Sequence, residues 1–341
     1  MKVDFGVIDH LDRQNRPIHE TYDSRLELIQ AYDRAGFTTF HITEHHFTPL
    51  GLAPSPLVFL AAASRITERI RFAPLVLIIT LYNPLRLAGE ICMLDHLTKG
   101  RLDIGAGRGI SPYELAYFNV NHLEAPSIYR EGLEVVMAAL TRDVVDYRGN
   151  YFKYFNVPIE LHPYQKPHPP LWYATGNPES AAWAGRQNMN IVFLLSAAQA
   201  RVLADRFKDG WTAAHGASGK PMPKVGITRH IYVADTDAEA AERGMVGFKG
   251  WFDKFGYLWQ KYDPRPFTFD DAVHRKSGRL IFGSPSTVRA EIERQIAESG
   301  VNYFVARFAY GDLGHAESLR SLRLFTDEVM PHFQGKAAER V

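Results

Sequence analysis

Residues 38–51 read Thr38-Thr39-Phe40-His41-Ile42-Thr43-Glu44-His45-His46-Phe47-Thr48-Pro49-Leu50-Gly51. The opening five residues are a short apolar run with strand character, and the chain then passes at once into ionisable groups. A β/α protein presents chemistry at the carboxyl ends of parallel strands in this way. Two neighbouring imidazoles titrate near neutral pH, which suits proton transfer or metal binding, and Glu44 is able to orient either one. Extended backbone sends adjacent side chains to opposite sides. His45 is therefore expected to act at the strand end, with His46 in a separate, mainly structural environment. The competing reading, one buried core histidine beside a surface one, fits a lone histidine better than this triplet.

Outward from that stretch, eight apolar runs alternate with helical patterns: Val3–Ile8, Thr38–Ile42, Ile70–Ile78, Arg101–Ala106, Leu171–Ala174, Asn190–Leu194, Lys224–Val233 and Asn302–Ala306. A helix near Tyr22–Ala35 stops at Gly36. A second opens at Asn83-Pro84, a cap followed by proline, and closes at Lys99-Gly100. The last runs from about Ala316 to Met330, with Leu319, Leu322, Phe325 and Val329 inward and Pro331 as the stop. Such alternation implies a parallel sheet. Eight units without a dividing linker predict one (β/α)8 TIM barrel over residues 1–341, with two insertions. Residues 143–168 read as a hairpin with a proline-rich return. Residues 253–278, charged and aromatic without clean period, read as a mobile lid loop.

The 341-residue length suits such a barrel, and 46% hydrophobic with 23% charged residues is ordinary for a globular protein with a large core. A formal charge of +1 offers no pull toward nucleic acid or an anionic membrane. The longest apolar stretch, around Leu75–Leu81, is far short of a membrane span. Cys92 is the only cysteine, which excludes an internal disulfide or a CxxC metal site and fits a reducing compartment. With no signal-peptide pattern at Met1-Lys2-Val3-Asp4-Phe5, a cytoplasmic protein is expected.

Two further strand ends carry anion-binding signals. Gly105-Ala106-Gly107-Arg108-Gly109 lets a ligand approach the backbone, and Arg108 offers a forked donor to an oxyanion. Its GxGxG spacing is not a dinucleotide fingerprint. The following Ser111-Pro112-Tyr113-Glu114 is a capping box, so Glu114 reads either as a helix cap or, with His46 and His230, as a residue beside the substrate or behind the catalytic group. Thr175-Gly176-Asn177-Pro178-Glu179-Ser180 sets an N-cap and a first-turn proline behind an unobstructing glycine, a helix terminus suited to phosphate as well as an ordinary cap. Arg130 could add a second guanidinium.

These segments resemble the bacterial luciferase-like flavin monooxygenases. The resemblance is carried by Glu44-His45-His46-Phe47, Asn83-Pro84-Leu85-Arg86-Leu87-Ala88, Leu94-Asp95 and Gly100-Arg101 through Gly109. It continues in Gln165-Lys166-Pro167-His168-Pro169-Pro170, Gly283-Ser284-Pro285, Ser321-Leu322, Leu324-Phe325 and Val329-Met330-Pro331. It implies a (β/α)8 barrel binding reduced FMN supplied by a separate flavin reductase, and a homodimer. Oxygen would form a flavin hydroperoxide that oxygenates a small organic substrate. In that family the counterpart of His45 lies beside the reacting part of the flavin. The counterparts of Arg108, Asn177 and Ser180 hold the phosphate, with Arg130 where another phosphate-binding arginine falls. Leu75-Val76 matches a non-prolyl cis peptide behind the flavin ring.

The chain departs from luciferase at Gly107, where the α chain has a reactive cysteine, and at Glu114, where it has aspartate, so light emission is not expected. His230 matches a histidine of alkanesulfonate monooxygenases, but Thr228 replaces their nearby arginine, which argues against a sulfonate substrate. Three other readings compete: a deazaflavin-dependent hydride-transfer enzyme on the same barrel, a non-catalytic flavin-binding subunit, and a metal-dependent hydrolase using His10, His45, His46 and His230. The last lacks a His-x-His pair, having Asp9-His10-Leu11 after the first strand.

Overall fold

The computed structural model describes residues 3–333. Its strands are β1 (Asp4–Asp9), β2 (Thr39–Ile42), β3 (Arg71–Pro74), β4 (Leu77–Ile78), β5 (Ile104–Gly107), β6 (Val144–Arg148), β7 (Lys153–Pro158), β8 (Leu171–Ala174), β9 (Asn190–Phe193), β10 (Val225–Val233), β11 (Leu280–Gly283) and β12 (Tyr303–Arg307). Parallel pairing runs β3-β2-β1-β12-β10-β9-β8-β5-β4. Because β4 continues β3, that path closes on itself as a barrel. Strands β10 and β12 are buried along their whole length, as expected when helices cover a parallel sheet outside and side chains fill it inside.

The principal helices are α1 (Ile18–Ala35), α2 (Pro56–Ser64), α3 (Pro84–Leu97), α4 (Pro112–Tyr117), α5 (Ala125–Thr141), α6 (Pro178–Arg186) and α7 (Ala197–His215). They continue with α8 (Asp237–Phe255), α9 (Tyr257–Tyr262), α10 (Asp271–Lys276), α11 (Pro285–Ser299) and α12 (His315–Leu324). Asn83 caps α3 through the Leu85 and Arg86 amides. Inside the barrel floor, His41 Nε2 pairs with Tyr303 Oη at 2.9 Å and Trp172 Nε1 donates to Asp103 at 2.8 Å.

All eight expected strands are present, and three details differ. The third is broken after Pro74 by a cis peptide at Leu75–Val76 and resumes at Leu77. Strand β11 was not expected. β10 projects beyond its barrel neighbours, and its outer half, His230–Val233, pairs with Leu280–Gly283. Four residues are too few to show a period. Finally, residues 253–278 are not a structureless loop: they hold the end of α8, then α9 and α10. Six-residue helices show little periodicity, and aromatic packing holds them instead. Trp251 stacks on Phe255 at 5.2 Å, and Phe255 on Trp259 at 5.7 Å. The hairpin of the other insertion is β6–β7, and Lys166–Pro167 in its return is cis. The carboxyl-terminal helix turns π-helical over Phe325–Val329, with Phe325 and Val329 buried. Among the described residues no helix is long and apolar enough to cross a membrane.

Candidate active site

Beyond Ile42 the chain leaves β2 at the carboxyl end of the barrel, and Thr43, Glu44 and His45 line an open cleft of about 1900 Å3. The two histidines part company there. The His45 side chain keeps 14% of its surface exposed, and its Nδ1 lies 3.1 Å from Glu114 Oε1. The His46 ring is buried against Phe118, centroids 4.8 Å apart, with Nε2 2.8 Å from Glu44 Oε1.

Glu44 therefore orients His46, not His45. Its other oxygen accepts the Ile78 amide at 2.9 Å, fastening the segment just after the cis peptide. Glu114 is the carboxylate that orients His45, and it also accepts the His46 backbone amide at 2.8 Å. The expected capping box is only half formed. Ser111 accepts the Glu114 amide at 3.3 Å, while the Glu114 carboxylate turns away to the histidines. A carboxylate on Nδ1 leaves Nε2 as the ring nitrogen available for proton exchange.

Leu75 and Val76 line the cleft beside Gly107, Arg108 and Gly109, at the neighbouring strands β4 and β5. Gly105 and Gly107 permit this close passage. A Cβ on Gly105 would stand 2.0 Å from the Pro74 carbonyl oxygen, and one on Gly107 would stand 2.3 Å from Val76 Cγ2. A cysteine at 107 is thus incompatible with Val76 as it lies here.

Arg108, Arg130, Gly176, Asn177 and Ser180 line the same cleft. Both arginines are exposed and, among the described residues, neither has a carboxylate partner. Asn177 caps α6 by accepting the Ser180 amide at 3.0 Å, and nothing lies within 4 Å of a Cβ built on Gly176. Unpaired guanidiniums, a helix amino terminus and empty space fit a phosphate.

The four histidines of the metal reading do not converge on one point. His10 stacks on His45 at 5.6 Å, His46 is held by Glu44, and the cationic Arg307 donates to His230 Nε2 at 2.8 Å. That bond occupies the lone pair a metal would need. Burial, then the charge of Arg307, pushes the pKa values of His10 and His230 well below the ordinary range. Neither Arg307 nor the stacking of His10 was anticipated. The available signal was Arg307 as the only charge in the run Val301–Gly311.

The family model described as luciferase-like monooxygenase matches residues 3–303. Uncharacterized protein y4wF of Sinorhizobium fredii is 36% identical over 96% of this chain and 97% of its own. The oxygenase component of the flavin-dependent trigonelline monooxygenase of Acinetobacter baylyi is 28% identical over 98% of this chain and 97% of its own. Among solved structures, monooxygenase RslO1 of Streptomyces bottropensis superposes with a TM-score of 0.88 at 25% identity, covering 97% of this chain and 99% of that one. The coenzyme F420 dependent tetrahydromethanopterin reductase of Methanopyrus kandleri gives 0.73 at 20% identity, covering 98% and 100%.

Proposed function

The chain belongs to the luciferase-like monooxygenase family, and from that premise we propose that it is the oxygenase component of a two-component system using reduced FMN. The observation that carries the reading is His45, tied to Glu114, in a glycine-walled cleft that also contains Arg108 and Arg130. Reduced FMN, when bound, supplies the electron pair that activates O2, one oxygen atom passing to an organic substrate and the other to water.

The chain's own residues have separable tasks. Arg108, Arg130 and the α6 terminus at Gly176, Asn177 and Ser180 hold the phosphate. Leu75 and Val76 support the flat ring. His45, fixed in one tautomer by Glu114, moves protons at Nε2. Glu44 and His46 brace the loop that carries His45. Helix α9 packs on α4, with Tyr262 5.4 Å from Tyr113 and Trp259 6.0 Å from it. Residues 253–278 thereby act as a cover that keeps water from the reacting groups, anchored to the helix that carries Glu114. A separate flavin reductase provides the reduced cofactor, a reading supported by the designation of the Acinetobacter relative as an oxygenase component.

The deazaflavin alternative keeps one support, because the same fold also serves an F420-dependent reductase. Anaerobic titration of the full chain with reduced FMN and, separately, with reduced deazaflavin decides between them. Reduced FMN should bind with micromolar affinity and react with O2 faster bound than free. Binding of deazaflavin alone would replace the monooxygenase reading.

A further inference from the structure

Across the barrel mouth from the phosphate cleft, the ends of β1, β10 and β12 enclose a buried polar group that the proposed chemistry does not use. Arg307, the last residue of β12, is 3% exposed. Its Nη1 donates to His230, its Cζ lies 5.1 Å from the Trp251 ring centroid, and its Nε has no hydrogen-bond partner among the described residues. The neighbouring carboxylates are already engaged. Arg25 pairs with Asp9 at 2.8 Å and Asp12 at 3.3 Å, and Lys254 pairs with Asp12 at 3.2 Å. Lys254 also reaches Asp312 at 3.3 Å. Among the described residues Arg307 makes no direct ion pair, and Asp9 and Asp12 act on it only through space.

A buried guanidinium whose opposing carboxylates are bonded to other cations is costly and calls for an anion within bonding distance. Burial pushes the Arg307 pKa down to about 10, which still leaves it charged at neutral pH. Among the described residues two more buried nitrogens beside it are unpartnered, His10 Nδ1 and Trp251 Nε1. The His10 ring lies 5.5 Å from Trp251 and stacks on His45 at 5.6 Å. The unsatisfied group therefore begins one ring away from the histidine of the cleft. Phe248 and Tyr310, each 4.9 Å from the His230 ring, add apolar walls.

We propose that Arg307 recognises the carboxylate of an organic substrate, whose apolar remainder lies among Trp251, His10 and His45. A planar carboxylate matches the guanidinium fork, and the surrounding rings favour an unsaturated or aromatic body. Trp251 lies over the guanidinium at 5.1 Å and forms one wall of the site. The proposal names the substrate class for the reaction centre assigned above, and so rests on His45 as that centre.

The test is calorimetric titration of the full chain with benzoate, nicotinate and acetate, each beside its neutral amide. At least one carboxylate should bind about tenfold or more tighter than its amide, and Arg307→Gln should bring that pair within twofold while leaving FMN affinity unchanged. Should that variant fail to fold, Arg307→Lys, which keeps the charge but loses the fork, should reduce the preference. Equal binding of every pair, no binding at all, or a preference that survives Arg307→Gln would overturn the proposal. Because no turnover is read, failure here leaves the monooxygenase reading standing, whereas failure of the flavin titration removes the reaction centre on which this proposal rests, and the two failures are told apart by which titration is flat.

Discussion

The two sides of the barrel mouth solve opposite problems with the same residue type. On one side Arg108 and Arg130 are exposed, without a carboxylate partner among the described residues, and framed by glycines. On the other, Arg307 is buried under Trp251, with His230 as its only hydrogen-bond partner among the described residues. An exposed guanidinium is well hydrated and binds an anion with modest desolvation cost, so the open side suits a large cofactor with a charged tail. A desolvated guanidinium binds strongly but only what fits, which suits discrimination among small substrates. His45 stands between the two, in the cleft on one face and stacked on His10 on the other.

The strongest way to break this comparison is at the hinge between the sides. Replacing His45 by Ala should lower turnover roughly 10²-fold or more, the usual scale for losing an acid–base group, and divert oxygen to hydrogen peroxide while FMN affinity changes little. Near-normal turnover would mean that the cleft histidine is not where the two sides meet. Next is the open side. Arg108→Ala should weaken FMN at least about tenfold, since a charge-assisted contact contributes about 1.5–3 kcal/mol, and equilibrium titration that finds affinity unchanged would remove Arg108 from the phosphate site.

The third prediction concerns the closed side and pH. His230 is held neutral, its pKa depressed by burial and then by Arg307, whereas in the unfolded chain it takes up a proton near pH 6.5. The unfolded state therefore binds more protons below about pH 6.5. The stabilisation is present above that pH and is lost as the pH falls. Urea unfolding between pH 6 and 5 should give a slope that His230→Gln flattens by up to one proton, about 1.4 kcal/mol per pH unit. An identical slope in the variant would show that the closed side is wetter than its burial implies.

Local pattern alone was enough for much of this molecule. The strand and helix order, the caps at Asn83 and Asn177, and the placement of Glu44-His45-His46 at a strand end all depend on residues a few positions apart, where period, capping and alternation operate. Distance in sequence marks what local pattern could not supply. Glu114 reaches His45 across 69 positions and overrides its own capping box, because a buried carboxylate gains more from an imidazole and an amide than from the end of its helix. Trp251 closes over Arg307 only because α8 lies across the mouth, and β11 exists only because β10 outruns its neighbours. Each of these is a bargain between groups brought together by closure of the barrel, where burial removes water and leaves a polar atom only the partners that the fold delivers.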